Sequence, residues 1–138
     1  MKEINLMLID DDPINLYIFN KITVKTGVPV KLKSCSNGKV ALLELIQSLK
    51  HNKPLPDIIF VDISMPVLNG WEFLHLYEQL QITQEIPMFI LTSSILPTDE
   101  DKAAQFKRIK GFIRKPIPKE QLKELLESVL SDAKSWSA

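Results

Sequence analysis

The sequence predicts an α/β fold in which one parallel sheet of five strands is covered by helices on both faces. Short apolar runs alternate along the chain with longer segments of helical periodicity, which is the pattern of repeated βα units. The apolar runs are rich in β-branched and aromatic residues, as expected for parallel strands buried on both faces. The predicted strands are Ile4–Ile9, Val30–Cys35, Ile58–Val61, Met88–Leu91 and Gly111–Ile113.

Helices are predicted after each strand, and the first and last have the clearest signals. Asp12 followed by Pro13 predicts a helix start, with Asp12 as the N-cap and Pro13 at the first helical position. The last helix carries apolar residues at the spacing of one helical face, which predicts packing against the sheet. These residues are Leu122, Leu125, Leu126, Val129 and Leu130.

The three middle helices have shorter signals. Asn69 with Glu72 three residues later predicts a capping box at the start of the third helix, and Thr98 with Asp101 predicts one for the fourth. The fourth, about residues 99–107, has the weakest apolar pattern, so we expect it to be the most mobile. The second helix is predicted from the stripe Ala41, Leu42, Leu45 and Leu49.

Length and composition predict a single domain in a reducing compartment. The 138 residues suffice for one core, predicted over about residues 4–130, with a tail at 131–138 that is expected to fray. Lys plus Arg equals Asp plus Glu at 17 each, so direct binding of nucleic acid is not expected. The single cysteine, Cys35, and the lack of an apolar run of about 18 residues favour a cytoplasmic protein without membrane insertion.

Polar residues stand directly after four of the predicted strands. Asp10 and Asp11 follow the first strand, Asp62 the third, Thr92 the fourth and Lys115 the fifth. The carboxyl ends of parallel strands meet at the sheet edge where open α/β sheets bind their ligands. We therefore expect these side chains to form one cluster.

The clustered carboxylates require positive charge. Two like charges about 4 Å apart repel by roughly 4 kcal/mol at an effective dielectric constant of 20. Lys115 supplies one cation, and Mg²⁺, which prefers oxygen ligands, supplies the rest. A carboxylate next to such a metal, with a hydroxyl and an ammonium close by, suits phosphoryl transfer. Asp62 is the predicted nucleophile, and Thr92 and Lys115 are predicted to contact the phosphoryl oxygens.

Four motifs in this order and spacing resemble the receiver domain of two-component response regulators. The motifs are "LIDDDP", "VDISMPVLNG", "ILTSS" and "GFIRKP", and the resemblance covers about Ile4 to Leu130. It implies a flavodoxin-like fold with strand order 2-1-3-4-5. It also implies that Asp62 accepts a phosphoryl group from a sensor histidine kinase or a histidine phosphotransfer protein.

The resemblance also implies the roles of individual residues. Asp10 and Asp11 become the acidic pair, and Mg²⁺ is held by Asp11, Asp62 and the backbone carbonyl of Ser64. Thr92 and Phe112 are the implied switch residues. The peptide bond before Pro116 is expected to be cis, which would direct Lys115 inward.

Two of these residues keep a plainer alternative. Phe112 lacks a hydroxyl, so packing alone is expected to set its rotamer, and a role as an ordinary core aromatic fits it equally well. Thr92 could be a hydroxyl bonded to backbone at a strand end.

Because few residues follow the last helix, we expect a stand-alone receiver, a signalling protein and not an enzyme. Its output would be a contact with an unidentified downstream protein or a relayed phosphate.

Three other functions compete with this interpretation. A Mg²⁺-dependent phosphatase of the haloacid dehalogenase type also uses a strand-end aspartate, but it needs a second aspartate two residues later, where this chain has Ser64. An FMN-binding flavodoxin-like module needs a Ser/Thr/Gly loop after the first strand. This chain has Asp-Asp-Asp-Pro there. An adaptor that keeps only the fold is disfavoured by the complete set of Asp, Thr and Lys.

Overall fold

The computed structural model of the chain describes residues 3–64, 68–93 and 96–131. Within them, five parallel strands form one sheet in the order β2-β1-β3-β4-β5, which confirms the predicted fold. The strands are β1 Ile4–Ile9, β2 Val30–Cys35, β3 Ile58–Val61, β4 Met88–Thr92 and β5 Ile109–Arg114. The helices are α1 Pro13–Lys25, α2 Gly38–Lys50, α3 Gly70–Gln79, α4 Pro97–Ala103 and α5 Lys119–Ser131.

The predicted starts of α1 and α3 are confirmed. The Asp12 carboxylate accepts a hydrogen bond from the backbone N–H of Ile14 at 2.9 Å, and proline occupies the first turn of α1. At α3, the side chain of Asn69 accepts from the N–H of Glu72 at 2.9 Å, and the Glu72 carboxylate accepts from the N–H of Asn69 at 3.0 Å. Both ends therefore satisfy backbone donors that would otherwise lack partners.

The predicted bounds of the fourth helix and its cap are wrong. The helix covers Pro97–Ala103, and the Asp99 carboxylate accepts from the N–H of Leu96 at 3.0 Å, so Thr98 and Asp101 do not form the cap. Pro97 fits the first helical position because its missing N–H would have no partner there.

The last two strands are longer than predicted. β4 includes Thr92, and β5 begins at Ile109, because Met88 pairs with Ile109 before an irregularity in register. The predicted start at Gly111 is two residues too late, because pairing with β4 extends β5 back to Ile109.

Alternate residues of the strands pack on opposite faces of the sheet, as expected for parallel strands. On one face, β1 and β3 pack against α2 and α3 through residues that include Met7, Ile9, Ala41, Leu45 and Phe73. On the other face, they pack against α1 and α5 through residues that include Leu6, Leu8, Phe19, Leu122 and Leu126. The two cores hold the carboxyl ends of β1, β3 and β4 in fixed relation.

The apolar stripes of α2 and α5 are shorter than predicted, because Leu49 and Leu130 are 41% and 38% exposed. The tail, except for Ser131 at the end of α5, lies outside the described residues, and so does the predicted fraying. Among the helices of the described residues, none is both long and apolar enough to cross a membrane.

Candidate phosphoryl-acceptor site

Asp62 lies directly after β3, and its backbone continues the pairing with β1. The N–H of Asp62 donates to the carbonyl of Ile9 at 2.9 Å. One carboxylate oxygen, Oδ1, accepts from the N–H of Ser64 at 2.9 Å. The residue is only 6% exposed. The carboxylate is thus held in a defined position at the carboxyl edge of the sheet.

The two aspartates after β1 differ in burial. Asp10 is 1% exposed, and its Oδ1 accepts from the N–H of Asp12 at 3.0 Å, whereas Asp11 is exposed to solvent. Carboxylate oxygens of Asp10, Asp11 and Asp62 lie within 4.8 Å of one another. The predicted acidic cluster is therefore present.

Lys115 follows β5 and reaches into this cluster. Its Nζ donates to Oδ2 of Asp10 at 2.8 Å and to Oδ2 of Asp62 at 2.9 Å. Its backbone N–H donates to the carbonyl of Thr92 at 2.8 Å, which fixes the end of β5 beside the end of β4. The peptide bond between Lys115 and Pro116 is cis, as predicted. Thr92 is buried at this edge, with 1% of its surface exposed.

Burial and pairing shift the pKa values of this ion pair. Removal from water raises the pKa of Asp62 above its ordinary value, although the hydrogen bonds from Lys115 and Ser64 act in the opposite direction. Burial alone would lower the pKa of Lys115, but its hydrogen bonds to Asp10 and Asp62 outweigh burial and raise it. Lys115 is therefore a permanent cation at neutral pH.

The donor set fits a hard divalent cation. Carboxylates from Asp10, Asp11 and Asp62 converge, and the carbonyl of Ser64 belongs to the exposed residue two positions after Asp62. Mg²⁺ prefers oxygen ligands and keeps several waters, so a few carboxylates open to solvent on one side suit it. The solvent exposure of Asp11 leaves that side open.

Gly70 at the start of α3 allows close contact with the Asp62 backbone, a contact that is not among the predictions from the sequence. A Cβ atom at Gly70 would lie 2.7 Å from Cα of Ile63 and 2.9 Å from the carbonyl oxygen of Asp62. Its N–H donates to the carbonyl of Ile63 at 3.3 Å. The first residue of α3 thus packs directly on the backbone of Asp62 and Ile63.

Next to this contact lies an aromatic cluster, defined as Trp71, His75, Phe106 and Phe112. The Trp71 ring stacks on Phe106 with centroids 6.1 Å apart and lies 6.5 Å from Phe112. His75 meets Phe106 edge-on at 5.1 Å. No local pattern in the sequence predicts this cluster, because Trp71 and His75 are more than 30 positions from Phe106 and Phe112.

The family model of the response regulator receiver domain matches residues 6–127 of this chain. The chain belongs to this family. Receiver domains belong to two-component systems, interact with histidine kinases and bind Mg²⁺ at an acidic pocket. In this chain, Asp10, Asp11 and Asp62 form an acidic cluster.

Known proteins similar to this receiver domain differ greatly in length. A crystal structure of a two-component response regulator from Cytophaga hutchinsonii has a TM-score of 0.83 and 29% identity, and the match covers 95% of this chain and 100% of that one. Protein PilH of Pseudomonas aeruginosa is 25% identical over 91% of this chain and 97% of its own length. A probable cyclic di-GMP phosphodiesterase of Vibrio cholerae is 25% identical over 98% of this chain, which spans only 28% of that protein.

Proposed function

We propose that this receiver domain accepts a phosphoryl group on Asp62 from a sensor histidine kinase or a histidine phosphotransfer protein. The observation that carries the proposal is the position of the Asp62 carboxylate. It is buried at the sheet edge, 2.9 Å from the Lys115 ammonium and within 4.8 Å of the oxygens of Asp10 and Asp11. Such an arrangement stabilises negative charge that develops beside a nucleophilic carboxylate.

In the proposed reaction, a carboxylate oxygen of Asp62 attacks the phosphorus of a phosphohistidine. The new O–P bond forms as the N–P bond breaks, and the imidazole leaves with the electron pair of that bond. The hydrogen bond from the N–H of Ser64 to Asp62 fixes the orientation of the nucleophile. No oxidant or further reactant is needed.

Lys115 and Thr92 are proposed to bind the transferred group. The Lys115 ammonium, already held by Asp10 and Asp62, neutralises one phosphoryl oxygen as a point charge. Thr92, whose backbone carbonyl accepts from Lys115, lies at the end of the neighbouring strand and offers its hydroxyl. Asp10 positions the ammonium through its 2.8 Å hydrogen bond.

Mg²⁺ is proposed to be held by Asp11, Asp62 and the carbonyl of Ser64, with the support of Asp10. When bound, the ion would neutralise charge on the phosphoryl oxygens. These residues also separate the proposed function from a phosphatase of the haloacid dehalogenase type, because Ser64 has no carboxylate to act as the second acid.

The signal is proposed to be a change in protein–protein contacts with a downstream partner, through Thr92 and Phe112. The balance of 17 basic and 17 acidic residues supports a protein partner rather than nucleic acid. A location in the cytoplasm, without insertion into a membrane, is proposed for this receiver domain.

The proposal is tested by incubating the protein with acetyl phosphate and Mg²⁺ and measuring its intact mass. We expect the gain of one phosphoryl group, its loss in Asp62→Asn, and its retention in the matched control Asp101→Asn, which changes an exposed aspartate of α4. A gain that persists in Asp62→Asn would contradict the proposal. Multiple turnovers of p-nitrophenyl phosphate would instead favour the phosphatase.

A further inference from the structure

The start of α3 is in contact on one side with the acceptor loop, defined as residues 62–64. Gly70, the first residue of the helix, donates its N–H to the carbonyl of Ile63 at 3.3 Å and leaves no room for a Cβ atom against Ile63 and Asp62. Trp71 is the next residue. A shift of the backbone at Asp62 or Ile63 therefore moves the start of α3, because close-packed backbone transmits displacement instead of absorbing it.

On its other side, Trp71 contacts the segment between α4 and β5 and the proposed switch residue. Its ring stacks on Phe106 at an interplanar angle of 22°, is tilted by 55° relative to Phe112, and has the Lys102 ammonium 5.8 Å from its centroid. Phe106 is buried, while Trp71 and Phe112 are half-buried. The Trp71 ring thus contacts α4, the segment that follows it and β5.

We propose that Trp71 is a positioning residue that couples the acceptor loop to Phe112, so that phosphorylation of Asp62 and the packing of Phe112 depend on each other through this ring. The inference rests on the proposed phosphorylation of Asp62. Phe112 has no hydroxyl to hold one rotamer by a hydrogen bond, so its position depends on the surfaces that it contacts. Trp71 is a large, rigid contact surface, and packed aromatic rings favour a few discrete arrangements over a continuous range.

Tryptophan fluorescence tests the coupling directly. The chain has two tryptophans, so the variant Trp136→Phe leaves Trp71 as the single emitter. In this background we expect emission to change with acetyl phosphate and Mg²⁺ in proportion to the phosphorylated fraction measured by mass. Asp62→Asn in the same background controls for direct effects of both reagents. Unchanged emission in a phosphorylated sample would overturn the inference alone, whereas no gain of mass would remove the proposed function as well.

A second comparison distinguishes coupling from mere proximity to the phosphoryl group. Phe112→Leu should reduce the emission change per phosphorylated molecule by at least about half, because the ring that Trp71 contacts is gone. The matched control is Phe89→Leu, which removes a buried aromatic from the opposite face of the sheet. An equal reduction in both variants, or none in Phe112→Leu, would contradict the role of Phe112.

The rate of phosphorylation gives the reciprocal test. Trp71 contacts Phe112 and Phe106 in the unphosphorylated protein, so its removal should release Phe112 and favour the phosphorylated arrangement. We expect Trp71→Leu to raise the initial rate with acetyl phosphate about fivefold, and Trp71→Phe, which keeps an aromatic ring, to stay within about twofold of the original protein. Equal rates in the original protein and Trp71→Leu, or the same rise in Phe89→Leu, would overturn the proposal.

Discussion

The helices before and after β5 differ in how the protein holds them. α5 has 13 residues and buries Leu122 and Leu126 completely, whereas α4 has 7 residues and buries only Ala103 and Asp99. Each fully buried leucine contributes roughly 1.5–3 kcal/mol of apolar burial, and an alanine contributes much less. We therefore expect α5 to belong to the fixed framework and α4 to respond to changes at the site.

The largest predicted effect compares these two helices. Leu122→Ala should lower the free energy of unfolding by about 2–5 kcal/mol, because it opens a cavity in the α1–α5 core. Ala103→Gly in α4 should lower it by only about 1 kcal/mol, the cost in helix propensity. Urea unfolding followed by circular dichroism measures both variants. Similar losses in the free energy of unfolding would contradict the expected difference between α5 and α4.

Addition of Mg²⁺ tests whether the carboxylates at the ends of the strands bind the ion and stabilise the fold. A ligand that binds only the folded state adds about 2.7 kcal/mol at one hundred times its dissociation constant. We expect thermal stability to rise with Mg²⁺ in the original protein and in Asp101→Asn but not in Asp11→Asn. If Asp11→Asn kept the full rise, the ion would bind elsewhere.

The contact between α3 and the acceptor loop is tested by Gly70→Ala. The added Cβ would lie 2.7 Å from Cα of Ile63, so the loop or the helix must shift, at a cost of about 1–3 kcal/mol. Phosphorylation by acetyl phosphate should fall as well. At the control Gly111→Ala, the new Cβ would meet Phe89 at an ordinary 3.6 Å, and stability should not fall measurably. Both variants are compared by urea unfolding and intact mass.

A smaller effect is expected from Asp62→Asn in the presence of EDTA. Burial raises the pKa of Asp62 in the folded protein, so the folded state binds the proton more tightly than the unfolded chain does, and the ionised carboxylate costs stability at neutral pH. Asp62→Asn should therefore be more stable at pH 7. The difference should shrink as pH falls through the folded-state pKa towards the ordinary value. Urea midpoints between pH 7 and pH 3 measure it, and a difference that grows on acidification would refute the sign.

The smallest effect on stability is expected from Tyr77→Phe in α3. Its hydroxyl is buried and has no hydrogen-bond partner among the residues that the structure describes, and burial raises the pKa of Tyr77 to about 12. Tyr77→Phe leaves no other group unpaired, so stability should stay the same or rise by up to about 1 kcal/mol. A clear loss in urea unfolding would show that the hydroxyl has a partner.

The site could be predicted from the sequence because its residues follow strands that local patterns define. The bounds predicted for β1, β2 and β3 agree with the structure, and their alternation with helices predicts parallel strands that end at one edge. Asp10, Asp62 and Lys115 then come together although they lie in different thirds of the chain. A parallel topology places them there without any further signal.

Other features depend on contacts that local patterns in the sequence do not predict. β5 continues through Gly111 because β4 pairs with it, and a glycine read alone marks an interruption. At the start of α4, the pairs Leu96 with Asp99 and Thr98 with Asp101 both have the spacing of a cap. The hydrogen bond from the N–H of Leu96 to the Asp99 carboxylate shows that the first pair forms it. Trp71 and Phe106 are 35 positions apart in the sequence, so no periodicity connects them.

Cys35 is the last residue of β2, and its backbone carbonyl accepts a hydrogen bond from the N–H of Asp10 at 3.0 Å, so the single cysteine of the chain follows β2 to the edge where the acidic site lies. Burial raises the pKa of this thiol to about 11, which leaves almost no thiolate at neutral pH. Peroxides and disulfides react with thiolates, so we expect the Cys35 thiol of the folded protein to react slowly with both.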